Sequence, residues 1–305
     1  MSERINLQIL SLGAGVQSTT LALMACDGTL PGIDGAIFAD TGWEPARVYT
    51  HLDRIEDHLT RHGIPLYRVA KGNLRKDTID PTHRFASVPY YIRNPDGSRG
   101  MGRRQCTSEY KLVPIMRKCR ELLGAKPPNF RRVPKGNLVT QWIGFSTDEI
   151  HRVNDRQENL YSKKRYPLLE LEMSRKDCER YLKQAGWGNT AKSACIGCPF
   201  HGNAQWRDLR DNYPDEWADA VEFDRLIRKG GARGLPLNGE AFLHQSRVPL
   251  DIAPINRVTP RERRELQASI FDDIQENGYP DGCSPYGCRS GEPVVVVEPN
   301  LIIGE

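Results

Sequence analysis

Residues 9–20 read ILSLGAGVQSTT and pass from an apolar strand, through a turn with two glycines, into the start of a hydroxyl-rich helix. Gly13 and Gly15 allow the backbone to approach a ligand closely. Backbone N–H groups at the start of a helix attract phosphate, together with the helix dipole. Hydroxyl groups are added by Ser11, Ser18, Thr19 and Thr20. We therefore interpret this segment as the phosphate-binding loop of a nucleotide enzyme.

Two other nucleotide-binding loops differ from this turn at defining positions. The P-loop of kinases and GTPases requires a lysine, and no lysine occurs between Arg4 and Lys71. The dinucleotide-binding fingerprint requires a third glycine, where Ser18 stands, and an acidic residue about 20 positions further on, for which Asp40 is available. A tight strand-to-helix connection without a ligand also stays open.

A further loop type enters through a resemblance. Residues 13–18, GAGVQS, are similar to the Ser-Gly-Gly-x-Asp-Ser loop of the adenine-nucleotide alpha-hydrolase superfamily, which includes the sulfonucleotide reductases and the PP-loop ATP pyrophosphatases. Gln17 replaces the aspartate, as the reductases also allow. The resemblance implies that ATP or adenylyl sulfate is bound by Ser11, Gly13, Gly15, Gln17, Ser18 and Thr19.

A second loop is predicted to face the same crevice. Residues 35–39 are predicted to form a strand that leads into Asp40, Thr41 and Gly42. This segment resembles the Asp-Thr-Gly that lies beside the nucleotide in the sulfonucleotide reductases. A carboxylate here suits Mg²⁺ or a ribose hydroxyl. Asp-Thr-Gly is equally a favourable turn and N-cap sequence, so a structural role stays open.

Apolar strands and amphipathic helices alternate along residues 5–70 in the order β-α-β-α-β. This order predicts an α/β fold with a Rossmann-like parallel sheet that binds ligands at the carboxyl ends of its strands. We predict a nucleotide-binding domain over residues 1–172 and a mainly helical, cysteine-bearing region over residues 173–305. Residues 80–102 are predicted to form a long loop over the active site. The apolar C-terminal run VVVVEPNLIIGE is predicted to pair as a strand or to stay unpaired.

Two further segments, residues 103–111 and 144–152, resemble patterns of the same superfamily. The matching residues are Arg104, Cys106 and Lys111 in the first segment and Gly144, Glu149 and Arg152 in the second. The resemblance implies that Lys111 and Arg152 contact phosphate or sulfate and that Gly144 lies beside the nucleotide. Glu149 could instead be an ordinary acidic residue at a helix N-terminus.

Cys195 and Cys198 form a Cys-x-x-Cys pair, a spacing that indicates a metal site, an iron–sulfur cluster or a redox pair. Cys106 lies 89 positions before Cys195. This separation resembles that in the 4Fe-4S site of assimilatory sulfonucleotide reductases, although Gln105 stands where that family has a further cysteine. The resemblance therefore implies a cluster held by Cys106, Cys195 and Cys198.

The fourth ligand has several candidates. Cys283 or Cys288 could supply it, or one iron could stay open, as in the tRNA thiolases and DNA phosphorothioation enzymes that share this loop. The alternative is a zinc site formed by the Cys195 and Cys198 pair together with Cys283 and Cys288.

Composition limits the classes of protein that fit. The chain has 305 residues, eight cysteines and a mean hydropathy of −0.58, with no apolar run long enough to cross a membrane. We predict a cytoplasmic protein whose cysteines are thiols, ligands or catalytic groups rather than a disulfide framework.

The charge is unevenly distributed. Residues 99–135, here called the basic block, contain eleven Lys or Arg against two acidic residues, a net charge of +9, whereas the rest of the chain carries −5. The block is predicted to bind a polyanion such as tRNA or DNA, with a solvated helix face as the alternative. A homo- or hetero-oligomer is also open.

Three functions fit these observations. The first is an enzyme that uses ATP and Mg²⁺ to adenylate a substrate oxygen, releases pyrophosphate and delivers sulfur to a nucleic acid or nucleotide through a 4Fe-4S cluster, with Asp40, Lys111 and Arg152 at the reacting groups. The second is an adenylyl sulfate or phosphoadenylyl sulfate reductase, in which Cys283 or Cys288 is a mobile nucleophile that a thioredoxin-like reductant resolves. The third is a zinc-stabilised nucleotide-binding subunit of a larger assembly.

Overall fold

The computed structural model describes residues 4–83, 88–154, 159–188, 190, 193–230, 237–260 and 262–263. In chain order its strands are β1 (Asn6–Leu12), β2 (Gly35–Asp40), β3 (Leu66–Ala70), β4 (Tyr91–Arg93), β5 (Arg99–Met101), β6 (Leu138–Trp142), β7 (Ser162–Arg165) and β8 (Glu240–Phe242). The helices are α1 (Val16–Cys26), α2 (Ala46–Arg61), α3 (Leu74–Ile79), α4 (Val113–Leu122), α5 (Pro167–Glu170), α6 (Arg175–Gln184), α7 (Asn203–Asn212) and α8 (Pro214–Leu226). A π-helical segment, Thr107–Leu112, runs directly into α4.

Five strands form a parallel sheet in the order β3-β2-β1-β6-β7. Successive side chains of a strand point to opposite faces, and both faces of this sheet are covered. Leu10, Leu12 and Phe38 belong to the core shared with α1, α2 and α6. Ile9 and Ile37 belong to the core shared with α4. The predicted α/β, Rossmann-like parallel sheet is therefore confirmed in its general form.

The helices bury one face each, as their spacing predicts. On α2, the residues at apolar spacing, Val48, Leu52, Ile55 and Leu59, are all fully buried. Cys119 of α4 is also fully buried, and burial raises the pKa of its thiol to about 12. Cys119 is thus a packing residue, as its position inside an apolar helix face predicts.

A second, antiparallel sheet has the order β5-β4-β8. The prediction of a long loop over residues 80–102 is therefore wrong for residues 91–101. There β4 and β5 form a hairpin, and the other edge of β4 pairs with β8. A second core, which includes Trp43, Trp206 and Phe223, fills the space between this sheet and helices α7 and α8.

Chain segments on both sides of residue 173 pack together. Cys178 and Leu182 of α6 lie in the same core as Leu21 of α1. The division into 1–172 and 173–305 stays a prediction. Cys283, Cys288 and the apolar C-terminal run lie outside the described residues. No helix in the described part of the chain is long and apolar enough to cross a membrane.

Candidate functional site

The parallel sheet has a point where the direction of strand order reverses. β1 and β6 are neighbours, but the chain continues from β1 to β2 on one side and from β6 to β7 on the other. In open α/β sheets, ligands bind in the crevice at the carboxyl ends of the strands at such a point. The loops that follow β1, β2 and β6 all lie at this edge, and they carry the predicted site residues Gly13, Thr41 and Gly144.

Gly144 brings the loop after β6 against the start of α1. A Cβ atom at position 144 would lie 3.1 Å from the backbone nitrogen of Ser18 and 3.2 Å from the carbonyl carbon of Gln17. These distances are shorter than ordinary van der Waals contacts, so a side chain would push the two loops apart. Gly144 therefore allows the crevice to close around the N-terminus of α1.

The loop after β1 is organised around the Ser18 hydroxyl. Its Oγ accepts hydrogen bonds from the backbone N–H groups of Gly13 (3.2 Å) and Gly15 (3.3 Å), and it donates to the Gly15 carbonyl (3.2 Å). Ala14 between them has a φ of 54°, in the left-handed region that non-glycine residues seldom occupy. Two N–H donors thus converge on one oxygen, which is the arrangement that a phosphate oxygen requires.

Two predicted nucleotide ligands are placed away from this point of convergence. Thr19 is fully buried, and its hydroxyl lies 3.0 Å from Nε2 of His51 on α2, because its position in the helix faces that neighbour. Burial, followed by the charge of Arg54, lowers the pKa of His51 to about 4. Ser11 is buried within β1. The structure therefore brings Gly13, Gly15 and Ser18 together, and directs the Thr19 hydroxyl to α2.

A chain of polar side chains links the loop after β1 to the loop after β6. Gln17 Nε2 donates to Oε2 of Glu149 (3.3 Å), and Arg152 Nη1 donates to Oε1 of the same carboxylate. Both members of the ion pair are buried. Burial raises the pKa of Glu149, against the opposing effect of Arg152. The charge of Arg152 is therefore compensated by Glu149 in this state of the protein.

The segment after β2 forms a tight turn. Asp40 Oδ1 accepts hydrogen bonds from the Gly42 N–H (2.7 Å) and from the Tyr49 hydroxyl (2.8 Å). Gly42 has a φ of 69°, and a Cβ atom there would lie 2.8 Å from Asn73 Nδ2. Asp40 thus has the turn-forming role that its sequence permits, and its role toward Mg²⁺ stays a prediction.

The Cys-x-x-Cys segment docks directly on this turn. The Ile196 N–H donates to the Trp43 carbonyl (3.0 Å), and the Thr41 hydroxyl lies 3.3 Å from the sulfur of Cys195. Gly197 faces the Trp43 ring so closely that any Cβ atom would overlap it. The ring is fixed from α8, where Asp219 accepts a hydrogen bond from its indole N–H (2.6 Å). The loop after β1 also lies close to this segment, since a Cβ atom at Gly15 would lie 3.5 Å from the Cβ atom of Ser193.

A buried charged cluster lies under Cys195. Glu44 Oε1 accepts hydrogen bonds from the Thr41 hydroxyl (3.1 Å) and the Cys195 thiol (3.4 Å), and it lies 3.6 Å from Nζ of Lys111. Glu44 is 3% exposed and Lys111 is 6% exposed. Oε2 of Glu44 is buried without a hydrogen-bond partner among the described residues. A thiol, a carboxylate and an ammonium group therefore lie together in one buried cluster.

Three predicted cysteine ligands line one pocket. Cys106, Cys195 and Cys198 surround it with apolar groups that include Trp43 and Phe200. Arg104 lies in the same lining, with its guanidinium 4.8 Å from the centre of the Phe200 ring. The structure thus brings these three thiols to a common cavity from distant parts of the sequence.

Cys106 enters the pocket at the start of a distorted helix. It precedes the π-helical segment, and the Val113 N–H donates to the Ser108 carbonyl five positions earlier. Pro114 follows, and a proline cannot donate the backbone hydrogen bond of a regular helix. π-helical turns occur frequently at functional sites. Here the segment carries both Cys106 and Lys111 toward the Cys-x-x-Cys turn.

The basic block is divided between two environments. Exposed side chains are Arg99, Arg103, Arg117, Lys126, Arg131, Arg132 and Lys135. Lys111 is buried beside Glu44, and Arg120 donates to the Phe130 carbonyl (2.6 Å). The exposed members are therefore the ones that a polyanion could contact.

Sequence reasoning missed the contributions of Glu44 and Trp43. Both lie in the same segment as Asp40, where a glutamate directly before Pro45 is typical of a helix start. The available indication was an acidic residue inside an otherwise apolar and turn-forming segment.

No protein-family model matches the chain, and no curated protein matches it.

Proposed function

We propose that this chain is an ATP-dependent sulfur-transfer enzyme of the adenine-nucleotide alpha-hydrolase type, acting on a nucleic acid or nucleotide. The single observation that carries the proposal is the contact between Thr41 and Cys195, whose oxygen and sulfur atoms lie 3.3 Å apart. It makes the nucleotide crevice and the cysteine pocket parts of one site. An enzyme that activates a substrate with ATP and then delivers sulfur to it requires this adjacency.

The crevice residues have assigned roles under this proposal. The N–H groups of Gly13 and Gly15 and the hydroxyl of Ser18 hold the pyrophosphate portion of ATP. Attack of a substrate oxygen on the α-phosphorus breaks the bond to the β-phosphate oxygen, and pyrophosphate leaves. Arg152 stabilises the charge that develops, after Glu149 releases it by rearrangement or protonation. Asp40 holds Mg²⁺ or a ribose hydroxyl.

The cysteine pocket suits an iron–sulfur cluster. Thiolates are soft ligands that iron–sulfur clusters and zinc prefer. A single tetrahedral zinc would accept the same thiolates, so iron analysis decides between the two metals. When bound, a 4Fe-4S cluster with an open iron would carry the transferable sulfur. Glu44 orients the Cys195 thiol through their hydrogen bond, and the positive charge of Lys111 lies beside them.

A second candidate is the reductase of adenylyl sulfate or its 3′-phosphorylated form. Gln17 favours the reductase, because the ATP pyrophosphatases have an aspartate at this position of the loop and the reductases also allow a glutamine. In a reductase the nucleotide is consumed without release of pyrophosphate, and a thiol attacks the sulfate sulfur. The nucleophile would have to be Cys283 or Cys288, outside the described residues.

The test begins with protein purified without oxygen. We expect a brown protein with about four irons per chain, and serine at Cys106, Cys195 or Cys198 should each remove the colour. Cys26→Ser is the matched control and should keep it. Release of labelled pyrophosphate from ATP then separates the sulfur-transfer enzyme from the reductase, which would instead release sulfite from adenylyl sulfate. A colourless protein without iron would contradict both candidates, whatever zinc it holds.

A further inference from the structure

A group of metal-ligating side chains lies at the other end of α1 from the crevice. Cys26, His58 and His62 each offer a ligand atom, and these atoms all lie within 4.8 Å of one another. Cys26 ends α1, whose first turn faces the crevice, and an 11-residue helix is about 16 Å long. The group is therefore separate from the Cys106, Cys195 and Cys198 pocket. Its members come from two helices that pack side by side in one core.

The two histidines are arranged as a chelating pair. His58 and His62 are four positions apart at the C-terminal end of α2, so they lie on the same helix face. Their ring centres are 4.7 Å apart. Nδ1 of His62 lies 2.8 Å from the His58 carbonyl oxygen. Because a carbonyl only accepts, Nδ1 carries a proton, and Nε2 is the ring nitrogen left to face an ion.

This tautomer is the one that metal-binding histidines normally adopt. Ligating histidines almost always donate their second ring N–H to a carbonyl or carboxylate, which fixes the ring orientation. The other ring is also held in place, since His58 meets Trp187 edge to face with the ring centres 5.6 Å apart. Trp187 is itself covered by Arg54, whose guanidinium lies 3.8 Å from the ring centre. Both imidazoles are thus oriented before any ion is bound.

A carboxylate adds negative charge beside the group. Asp27 follows Cys26, and its oxygens accept hydrogen bonds from the Thr29 N–H (2.9 Å) and from the Tyr181 hydroxyl. These bonds hold Asp27 in the turn after α1. A cation at the group would be attracted by this charge without requiring Asp27 as a ligand.

We propose that Cys26, His58 and His62 bind one divalent ion of the zinc type, with water or a further ligand in the fourth position. One thiolate and two imidazoles are a donor set that zinc accepts in tetrahedral geometry. The ion would join the C-terminal ends of α1 and α2 and so stabilise the face of the parallel sheet that these helices cover. This proposal is independent of the proposed function, because none of its ligands belongs to the crevice or to the cysteine pocket.

Zinc titration of the full chain against a chromophoric chelator tests the proposal. Because the cysteine pocket can also take up zinc, the informative quantity is the difference between variants. His62→Gln and Cys26→Ser should each bind one zinc ion fewer than the wild type, or bind it at least about tenfold more weakly. His151→Ala, which removes another exposed histidine, should bind as the wild type does. Cys195→Ser should keep the ion that His62→Gln loses.

Cobalt provides a second measurement that a general loss of folding would not imitate. Measured in the Cys195→Ser background, Co²⁺ bound by Cys26 should give a thiolate charge-transfer band that persists when His151→Ala is added and weakens or disappears when Cys26→Ser is added, with circular dichroism confirming that each variant is folded. Zinc should also raise the melting temperature of the wild type more than that of His62→Gln. Equal zinc stoichiometry and affinity in the wild type, Cys26→Ser and His62→Gln would overturn the proposal, as would loss of the only zinc ion in Cys195→Ser.

Discussion

The thiol sulfur of Cys195 lies 3.4 Å from carboxylate oxygen Oε1 of Glu44, although 151 positions separate the two residues. The same oxygen faces the ammonium group of Lys111. A carboxylate, a thiol and an ammonium group therefore share one buried site, in which each charge depends on the others. This cluster is the physical link between the turn after β2 and the cysteine pocket.

Replacement of Glu44 by glutamine should destabilise the protein. The change keeps the size of the side chain and removes the charge that compensates the buried Lys111 ammonium. Breaking a buried ion pair on one side costs about 3–5 kcal/mol, so the free energy of unfolding in urea should fall by about that amount. The double variant Glu44→Gln/Lys111→Met should recover most of the loss. Equal stability of Glu44→Gln and the wild type would show that the two charges do not depend on each other.

Alanine at Gly197 should displace the Cys-x-x-Cys turn. Its Cβ atom would overlap the Trp43 ring, which Asp219 and Phe223 hold in place. Overpacking of this kind costs about 1–3 kcal/mol, and we expect that loss in urea unfolding together with reduced iron content. Gly32→Ala is the matched control, because no atom lies within 4 Å of its added Cβ. A Gly197→Ala protein as stable as Gly32→Ala would mean that the turn can move without cost.

Alanine at Ser18 should weaken nucleotide binding. The Ser18 hydroxyl gathers the N–H groups of Gly13 and Gly15, so its loss disorders the donors that a phosphate would contact. Loss of one hydrogen bond to a charged ligand costs about 1.5–3 kcal/mol, or a factor of about ten or more in the dissociation constant. Calorimetric titration with ATP and with adenylyl sulfate measures it. Thr50→Ala, which removes an exposed hydroxyl on α2, should bind normally; unchanged affinity in Ser18→Ala would remove the phosphate-loop assignment.

His51 should make stability depend on pH. Its pKa is about 4 in the folded protein and 6.5 in the unfolded reference, because burial disfavours the charged ring. Between these values the unfolded chain binds the proton more readily, so stability falls as pH falls from 6.5 toward 4. Partial exposure limits the expected loss to about 1–2 kcal/mol. His51→Gln cannot titrate, so its free energy of unfolding should decline less between pH 7 and pH 5. Parallel declines in the two proteins would contradict the assignment.

Nucleic-acid binding, if it occurs through the basic block, should depend on its exposed members. Glutamate at Arg117, Arg131 and Arg132 should abolish retardation of tRNA or DNA in a gel. It should also lower the slope of log affinity against log salt by about one per lost phosphate contact. A matched triple variant outside the block, Lys163→Glu, Arg180→Glu and Lys183→Glu, changes the net charge equally and should still bind. Equal effects of the two triple variants would show that net charge alone matters.

The sequence was most informative where structure depends on local chemistry. Residues 9–20 predict a strand, a turn and a helix, because each of these three elements is determined by residues that are neighbours in the chain. The common pocket of Cys106, Cys195 and Cys198 was expected only through a family resemblance, because spacing alone does not determine which cysteines meet. Its metal content stays a prediction.

Other features depend on partners far away in the chain. The hairpin of residues 91–101 was predicted as a loop, since its short strands gain support from β8, which lies 147 positions beyond β4 at the paired residues Arg93 and Glu240. Glu44 was missed because a glutamate before a proline is typical of a helix start, and only the packed structure reveals that its carboxylate is buried. The direction of the Thr19 hydroxyl likewise depends on α2.

The pairing of β4 with β8 has a consequence for the order of folding. The Cys-x-x-Cys turn lies between these two strands in sequence, so it belongs to a long loop that strand pairing closes. Closing a long loop opposes folding through chain entropy, and contacts between distant residues form slowly. The thiols of Cys195 and Cys198 should therefore stay accessible to solvent until the C-terminal part of the sheet is in place. In pulsed alkylation during refolding, both thiols should still react after the strands of the parallel sheet have become protected. Early protection of the two thiols would show that the turn docks on Trp43 first.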